Sequence, residues 1–259
     1  MADLTLPALV TKPTAVSFDL GQTLVDLDYE LLIAQAATQR VTLDRTVLVL
    51  ATSEAWRRYE KAKANLATGP AAWAAFMKAL LLRARVPCDA PHPPGSNAEI
   101  DALTDYLWKQ QPERNLWRQP IDGMFELVFE LAGLGVPVGV LTNSEGRARQ
   151  LVQQLGLGGA VTAVVDSGCV GIEKPDSRVF HLMARELGCA VEKVVHVGDS
   201  YQADIMGALS TGMRAIWFTN DADREAPPGV PICRTAAEVR TALLFQAPAS
   251  SGWGAPGCV

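Results

Sequence analysis

Ala15-Val16-Ser17-Phe18-Asp19-Leu20-Gly21-Gln22-Thr23-Leu24 is the stretch that decides how this chain is read. Its first four residues are mostly apolar and β-prone. Asp19 ends the run, and Gly21 follows as a breaker. That is the pattern of a buried strand delivering a carboxylate into a loop. One aspartate after one strand is weak evidence, so the question is whether other strands end the same way.

Beyond Pro120 the chain alternates between helical and strand-like segments. Residues 124–134 read as helix, 136–141 as a strand ending at Thr142-Asn143, 146–155 as helix and 160–165 as strand. Residues 177–187 read as helix, 193–197 as a strand ending at Gly198-Asp199, 203–211 as helix and 214–218 as strand. Thr235 opens a last helix, with Glu238 three residues on in a capping-box pattern. Strands and helices alternating at these lengths predict βαβ units, hence an α/β fold with a Rossmann-like parallel sheet covered on both faces.

From 28 to 111 the texture is different. Residues 53–67, 71–86 and about 98–109 are rich in Ala, Leu, Glu, Lys and Arg and read as helices, with a loop at 87–95. Trp56, Trp73, Trp108 and Trp117 lie in or beside this region and suit the core of a helical subdomain. The expected division is a core of 1–26 with 117–247, a helical insertion of 27–116, and a flexible tail of 248–259.

Composition narrows the function classes. The 259 residues are 49% hydrophobic and 20% charged, enough for a substantial core. A net charge of −5 without a basic run argues against a nucleic-acid binder. No apolar run reaches the ~18 residues a membrane span needs, and the first residues lack the pattern of a secretory signal. The five cysteines form no CxxC pair. Free thiols in a reducing, cytoplasmic setting are the expectation, with no catalytic part for any of them.

In an open parallel sheet, ligands bind outside the carboxyl ends of the strands. Asp19, Thr142 and Asp199 fall at such ends, and Lys174 stands in the loop Gly171-Ile172-Glu173-Lys174-Pro175-Asp176 before a helix. These residue types suit phosphoryl transfer. A carboxylate can attack phosphorus. A hydroxyl and an ammonium can hold the transferring oxygens. Paired carboxylates call for a hard cation between them, for which Mg²⁺ is the natural candidate.

These residues sit in four segments that together resemble the haloacid dehalogenase superfamily. Phe18-Asp19-Leu20-Gly21-Gln22-Thr23-Leu24 is similar to its first motif, and Leu141-Thr142-Asn143-Ser144 to its second. Glu173-Lys174-Pro175-Asp176-Ser177-Arg178-Val179-Phe180 is similar to the third, and Val197-Gly198-Asp199-Ser200-Tyr201-Gln202-Ala203-Asp204 to the fourth. The motifs occur in the family's order, and 27–116 falls where one branch inserts a helical cap. The resemblance implies that Asp19 is nucleophile and metal ligand and that the backbone carbonyl of Gly21 is a second ligand. It implies that Thr142 and Asn143 bind phosphate and that Lys174 balances charge. It implies that Asp199 is the acidic metal ligand, with Asp204 supporting or coordinating nearby.

Gly21 departs from the phosphatase pattern, in which a second aspartate at that place serves as acid and base. Asp26 or Asp28 could substitute, although helix capping explains both equally well. Three readings follow. One is a Mg²⁺-dependent phosphatase of a small phosphorylated metabolite. Another is a catalytically weak or inactive relative that binds a metabolite or protein. The third is a 2-haloacid dehalogenase, against which the acidic fourth motif argues. His92, His181 and His196 match no catalytic position of the family.

Overall fold

The computed structural model describes residues 13–65, 69–86, 97–220 and 225–244, without the side chains of residues 60, 63 and 64. The expected loop at 87–95 and tail at 248–259 lie outside the described residues, as do Cys88, His92 and Cys258. The chain opens with β1 (Ala15–Phe18) and β2 (Val25–Leu27). Four helices follow: α1 (Tyr29–Thr38), α2 (Arg45–Ala64), α3 (Gly69–Ala84) and α4 (Ala98–Gln110). After β3 (Trp117–Pro120) come α5 (Met124–Gly133), β4 (Val138–Thr142), α6 (Ala148–Gln154), β5 (Ala163–Asp166) and α7 (Ser167–Val170). Then come α8 (Ser177–Glu186), β6 (Val194–Gly198), a π-helical turn (Tyr201–Met206) running into α9 (Gly207–Leu209), β7 (Arg214–Phe218), β8 (Ile232–Cys233) and α10 (Ala236–Leu244).

The described residues form two compact units, one from the stretches Met1–Val25 and Pro120–Val259, of which 13–25 and 120–244 bear the described residues, and one from Asp26–Gln119. In the first, six strands make one sheet in the order β5-β4-β1-β6-β7-β8, each paired in parallel with its neighbours. The fold is thus the α/β, Rossmann-like sheet that the alternation predicts. β1, β4 and β6 are buried along their whole length, which is why their sequences are near-continuous apolar runs. One core of this unit packs Phe180, Met183 and Val179 of α8 with Leu141, Val165 and Trp217 from the strands. Gly139 in β4 is needed for that packing, because a Cβ there would lie 2.4 Å from Met183 Sδ.

In this order the chain runs outward from β1 to β4 and β5 on one side and to β6, β7 and β8 on the other. The direction of winding reverses at β1, and such reversals open a crevice at the carboxyl ends of the strands. Phe18, the last residue of β1, is in register with Val140 of β4 and Val197 of β6. Asp19, Thr142 and Asp199 therefore leave three adjacent strands at nearly one level.

The second unit is helical. Its core contains Leu32 and Ala36 of α1, Leu48 and Ala55 of α2, Trp73, Phe76, Met77 and Leu80 of α3, and Ile100, Leu103 and Leu107 of α4. Trp56, Trp108 and Trp117 pack against it, in line with the core role expected for the tryptophans. Asp28 caps α1 by accepting from the Leu31 amide at 2.9 Å. Three short strands were not legible in the sequence: β2 and β3, which pair with each other, and β8 at the edge of the large sheet.

Candidate active site

Asp19 lies one residue beyond β1, and its amide donates to the Val197 carbonyl at 2.8 Å, which extends the ladder to the carboxylate itself. The turn after it closes through bonds from the Leu24 and Val25 amides to Leu20 O and from the Gln22 amide to Val25 O. Gln22 adopts a left-handed conformation (φ 58°) that non-glycine residues seldom take and that recurs where function constrains the backbone.

Lys174 reaches into this turn from the loop before α8. Its Nζ donates to Asp19 Oδ1 at 2.5 Å, to Asp204 Oδ1 at 2.6 Å and to the Leu141 carbonyl at 2.9 Å. All three ammonium donors are thus used, and the side chain is 3% exposed. The loop is held by Asn143, which follows β4. Asn143 Oδ1 accepts from the Lys174 amide at 2.8 Å, and Nδ2 donates to the Lys174 carbonyl at 3.0 Å. The side chain of Asn143 thus clamps the backbone that aims Lys174. Thr142, the last residue of β4, is buried beside Asp166 in the register.

Asp204 rides on the π-helical turn, a feature often found at functional sites. Its carboxylate is saturated with donors: Oδ1 accepts from Lys174 and lies 3.0 Å from His196 Nε2, and Oδ2 accepts from the Ser200 amide at 2.9 Å. Gly198 makes room for it, since a Cβ at 198 would sit 2.3 Å from Asp204 Cγ. Asp199 follows β6 and is half-buried, with its carbonyl accepting from Trp217 Nε1 at 2.8 Å.

Carboxylate oxygens of Asp19, Asp199 and Asp204 lie within 4.8 Å of one another. One ammonium faces three carboxylates, so two negative charges stand uncompensated in a place largely shielded from water. The electrostatics follow. Burial, then the neighbouring charges of Asp204 and Asp19, push the Asp199 carboxyl well above its usual range. Burial raises Asp19 as well, against the opposing pull of Lys174. Burial alone would raise Asp204 too, but Lys174 and the His196 bond outweigh it and hold Asp204 below the carboxylate range. Burial disfavours a charged Lys174, yet Asp19 and Asp204 overcome it and keep the ammonium protonated. Three hard oxygen donors at this spacing with surplus negative charge fit a small divalent cation.

Two groups of the site were not found from sequence. Ser17 and His196 are a polar pair in register on adjacent apolar strands, and Ser17 Oγ lies 2.6 Å from His196 Nδ1. A polar residue inside each of two otherwise apolar strands was the available signal. The second is Asp166, the last residue of β5. It accepts from the amides of Gly146 (3.1 Å), Ala148 (2.8 Å) and Gly168 (2.9 Å), which pins the loop after Thr142. A carboxylate closing a strand was the same signal that marked Asp19. Among the described cysteines, Cys169 is exposed with its Sγ 3.3 Å from the Gly146 carbonyl, and burial pushes the Cys233 thiol up to about 12.

A family model described as haloacid dehalogenase-like hydrolase matches residues 13–212. A phosphoserine phosphatase of Thermus thermophilus is 34% identical over 114 residues, covering 44% of this chain and 45% of that protein. A glyceraldehyde 3-phosphate phosphatase of Methanothermobacter thermautotrophicus is 33% identical over 104 residues, covering 40% of this chain and 46% of that protein. In these matches the chain spans about half the length of the curated relatives. Among solved structures, the HAD-hydrolase YfnB of Bacillus subtilis, determined bound to magnesium, superposes with a TM-score of 0.67 at 22% identity. It covers 91% of this chain and 100% of that one, a likeness of fold.

Proposed function

This chain belongs to the haloacid dehalogenase-like hydrolase family, and from that membership we propose a Mg²⁺-dependent phosphatase of a small phosphorylated metabolite. The observation that carries the reading is Lys174 Nζ held between Asp19 and Asp204, with Asp199 in the same cluster. In this reading Asp19 is the nucleophile, Lys174 a fixed cation and the three carboxylates a divalent-metal donor set, all at the reversal point of the sheet. Curated relatives named for phosphomonoesters support the class of substrate.

Asp19, Asp199 and the backbone carbonyl of Gly21 would hold the ion, with Asp204 supporting. Bound there, Mg²⁺ supplies charge that offsets the carboxylates and the incoming phosphate. Asp19 attacks phosphorus, the ester P–O bond breaks, and an aspartyl phosphate forms as the alcohol leaves. Water then attacks this acyl phosphate, releasing inorganic phosphate and restoring the carboxylate. Lys174, neutralising Asp19 in the resting state, is placed to meet the transferring oxygens, with Thr142 and the backbone of Asn143 completing the cradle. In this reading residues 1–26 with 117–247 form the core and 27–116 the cap. Free thiols at Cys169, Cys189 and Cys233 suit a cytoplasmic setting.

Gly21 gives one observation in favour of a second reading, a catalytically weak relative that binds a metabolite or protein, because glycine offers no acid for the leaving alcohol. Asp28 is engaged as a helix cap. Asp26 accepts from the Leu27 amide at 2.6 Å, and burial raises its carboxyl. The deciding experiment is a hydrolysis screen of aryl and alkyl phosphates with and without Mg²⁺. Turnover of an aryl phosphate that needs Mg²⁺ and vanishes in Asp19→Asn supports the phosphatase. Inertness of folded, metal-loaded protein toward every ester favours the binding reading.

A further inference from the structure

The chemistry above leaves the imidazole of His196 without a task, although it is fully buried and bonded on both nitrogens. Phe180 meets its ring edge-on at 5.4 Å, so the plane is fixed as well. The two nitrogen contacts suggest a part for the ring. Asp204, bonded to Lys174, is a carboxylate and can only accept. His196 Nε2, 3.0 Å from Asp204 Oδ1, must then carry a hydrogen. With one ring hydrogen placed on Nε2, Nδ1 is the acceptor, and Ser17 Oγ, 2.6 Å away, has one hydroxyl hydrogen to give it. We propose that Ser17 fixes His196 in its Nε2–H tautomer, and that this ring is a positioning residue that orients Asp204 for the metal site and for Lys174. The second half rests on the reading of Asp19, Asp199 and Asp204 as a Mg²⁺ site.

Geometry gives the ring its part. Asp204 Oδ1 is shared between Lys174 Nζ and His196 Nε2, while Oδ2 faces the Ser200 amide. An ammonium on a flexible stem attracts without demanding a direction. The imidazole N–H, set by two strands and Phe180, supplies that direction. Without it Oδ1 is tethered by Lys174 alone, and only the Ser200 amide on Oδ2 still resists a turn of the carboxylate away from Asp199. Groups that orient metal-binding carboxylates in this way are worth about 10–100-fold in metal affinity.

The test combines ¹⁵N spectroscopy of the metal-free chain with calorimetry of Mg²⁺ binding. The His196 signals, assigned by their loss in His196→Gln, are expected to show a hydrogen on Nε2 and none on Nδ1. Ser17→Ala is expected to mix the tautomers. His196→Leu is expected to weaken Mg²⁺ binding about 10–100-fold, and His196→Gln, whose amide N–H reaches the same oxygen, to recover most of that loss. An Nδ1–H tautomer, a doubly protonated ring or a tautomer unmoved by Ser17→Ala would overturn the proposal, as would a folded His196→Leu protein that binds Mg²⁺ like the wild type. If His196→Leu does not fold, the wild-type and Ser17→Ala spectra decide. Should the wild type bind no Mg²⁺, the metal reading fails by itself, and the tautomer, measured without metal, is judged separately.

Discussion

At position 21 the absence of a side chain sets the chemistry, and at position 199 the presence of one sets the stability. In the proposed phosphatase reaction Gly21 leaves the departing alcohol without a positioned acid, so rates are expected to depend steeply on the leaving group. Gly21→Asp is expected to raise kcat/KM for an alkyl phosphate, by ~10²–10⁴-fold if the carboxyl is well placed and nearer tenfold without a supporting shell. The aryl rate is expected to move far less; equal gains on both esters would contradict the missing-acid account. Asp199 carries the opposite lesson. Its carboxyl is raised by burial and by Asp204 and Asp19, so the folded state binds a proton more tightly than the unfolded chain. Such a group costs stability as pH rises above the unfolded value toward neutrality. Asp199→Asn is therefore expected to stabilise the metal-free protein at neutral pH, on the order of 1 kcal/mol and seen as a higher Tm, while abolishing the Mg²⁺-induced rise. Thermal unfolding with and without Mg²⁺ checks both halves. In the wild type, Mg²⁺ binding is expected to weaken as pH falls, because the ligand carboxylates must lose their protons. Asp19 and Asp199 were legible as charges at strand ends, Lys174 as a charge in the loop before a helix, and Asp204 through the resemblance of its motif. The use of the Asn143 amide was not, since a sequence does not say which way a side chain turns; it grips Lys174 rather than standing open.

Among the elements, the strands were the most legible because burial on both faces leaves little but apolar residues in β1, β4 and β6. The start of α2 was not. Arg45-Thr46-Val47-Leu48-Val49-Leu50 is rich in β-branched residues with weak helix propensity, yet it is helical from Arg45. Asp44 accepts from the Val47 amide at 3.0 Å, and Leu48 is buried in the helical core, so capping and packing override propensity. β2 and β3 were missed because Val25-Asp26-Leu27 is too short to show a period and Trp117-Arg118-Gln119-Pro120 is largely polar. Nor does a 3.6-residue pattern distinguish the π-helical turn of 201–206 from an ordinary helix start. Asp166 shows what an element end does for its neighbours: three amides from the loop after Thr142 and from α7 converge on one carboxylate. Asp166→Ala is expected to cost about 3 kcal/mol, given that bonds to charged groups contribute roughly 1.5–3 kcal/mol each and do not add fully. Denaturant unfolding measures that loss. Raised KM for the aryl phosphate at little-changed kcat would show that the pinned loop holds the phosphate.

Over the whole molecule, the site residues all fall in the sheet-bearing unit, and the helical unit has a separate core. Phe76→Ala, a buried truncation in that second core, is expected to cost about 3–5 kcal/mol there and to leave Mg²⁺ affinity at low temperature within about twofold. A collapse of Mg²⁺ binding in still-folded protein would show the two cores to be one cooperative body. The pairing of β1 has a consequence in time. Ser17 is in register with Gly139 and His196, partners that the ribosome adds about 120 and 180 residues later. At about 5–20 residues per second, the central strand waits roughly ten to forty seconds for its second neighbour. During that interval the helical segment and β4 are made, while Asp19 sits on a strand still lacking its β6 neighbour, with neither His196 nor Asp204 yet in existence. Asp19 is among the first of the clustered residues to leave the ribosome, and the cluster it joins is among the last parts of the protein to form.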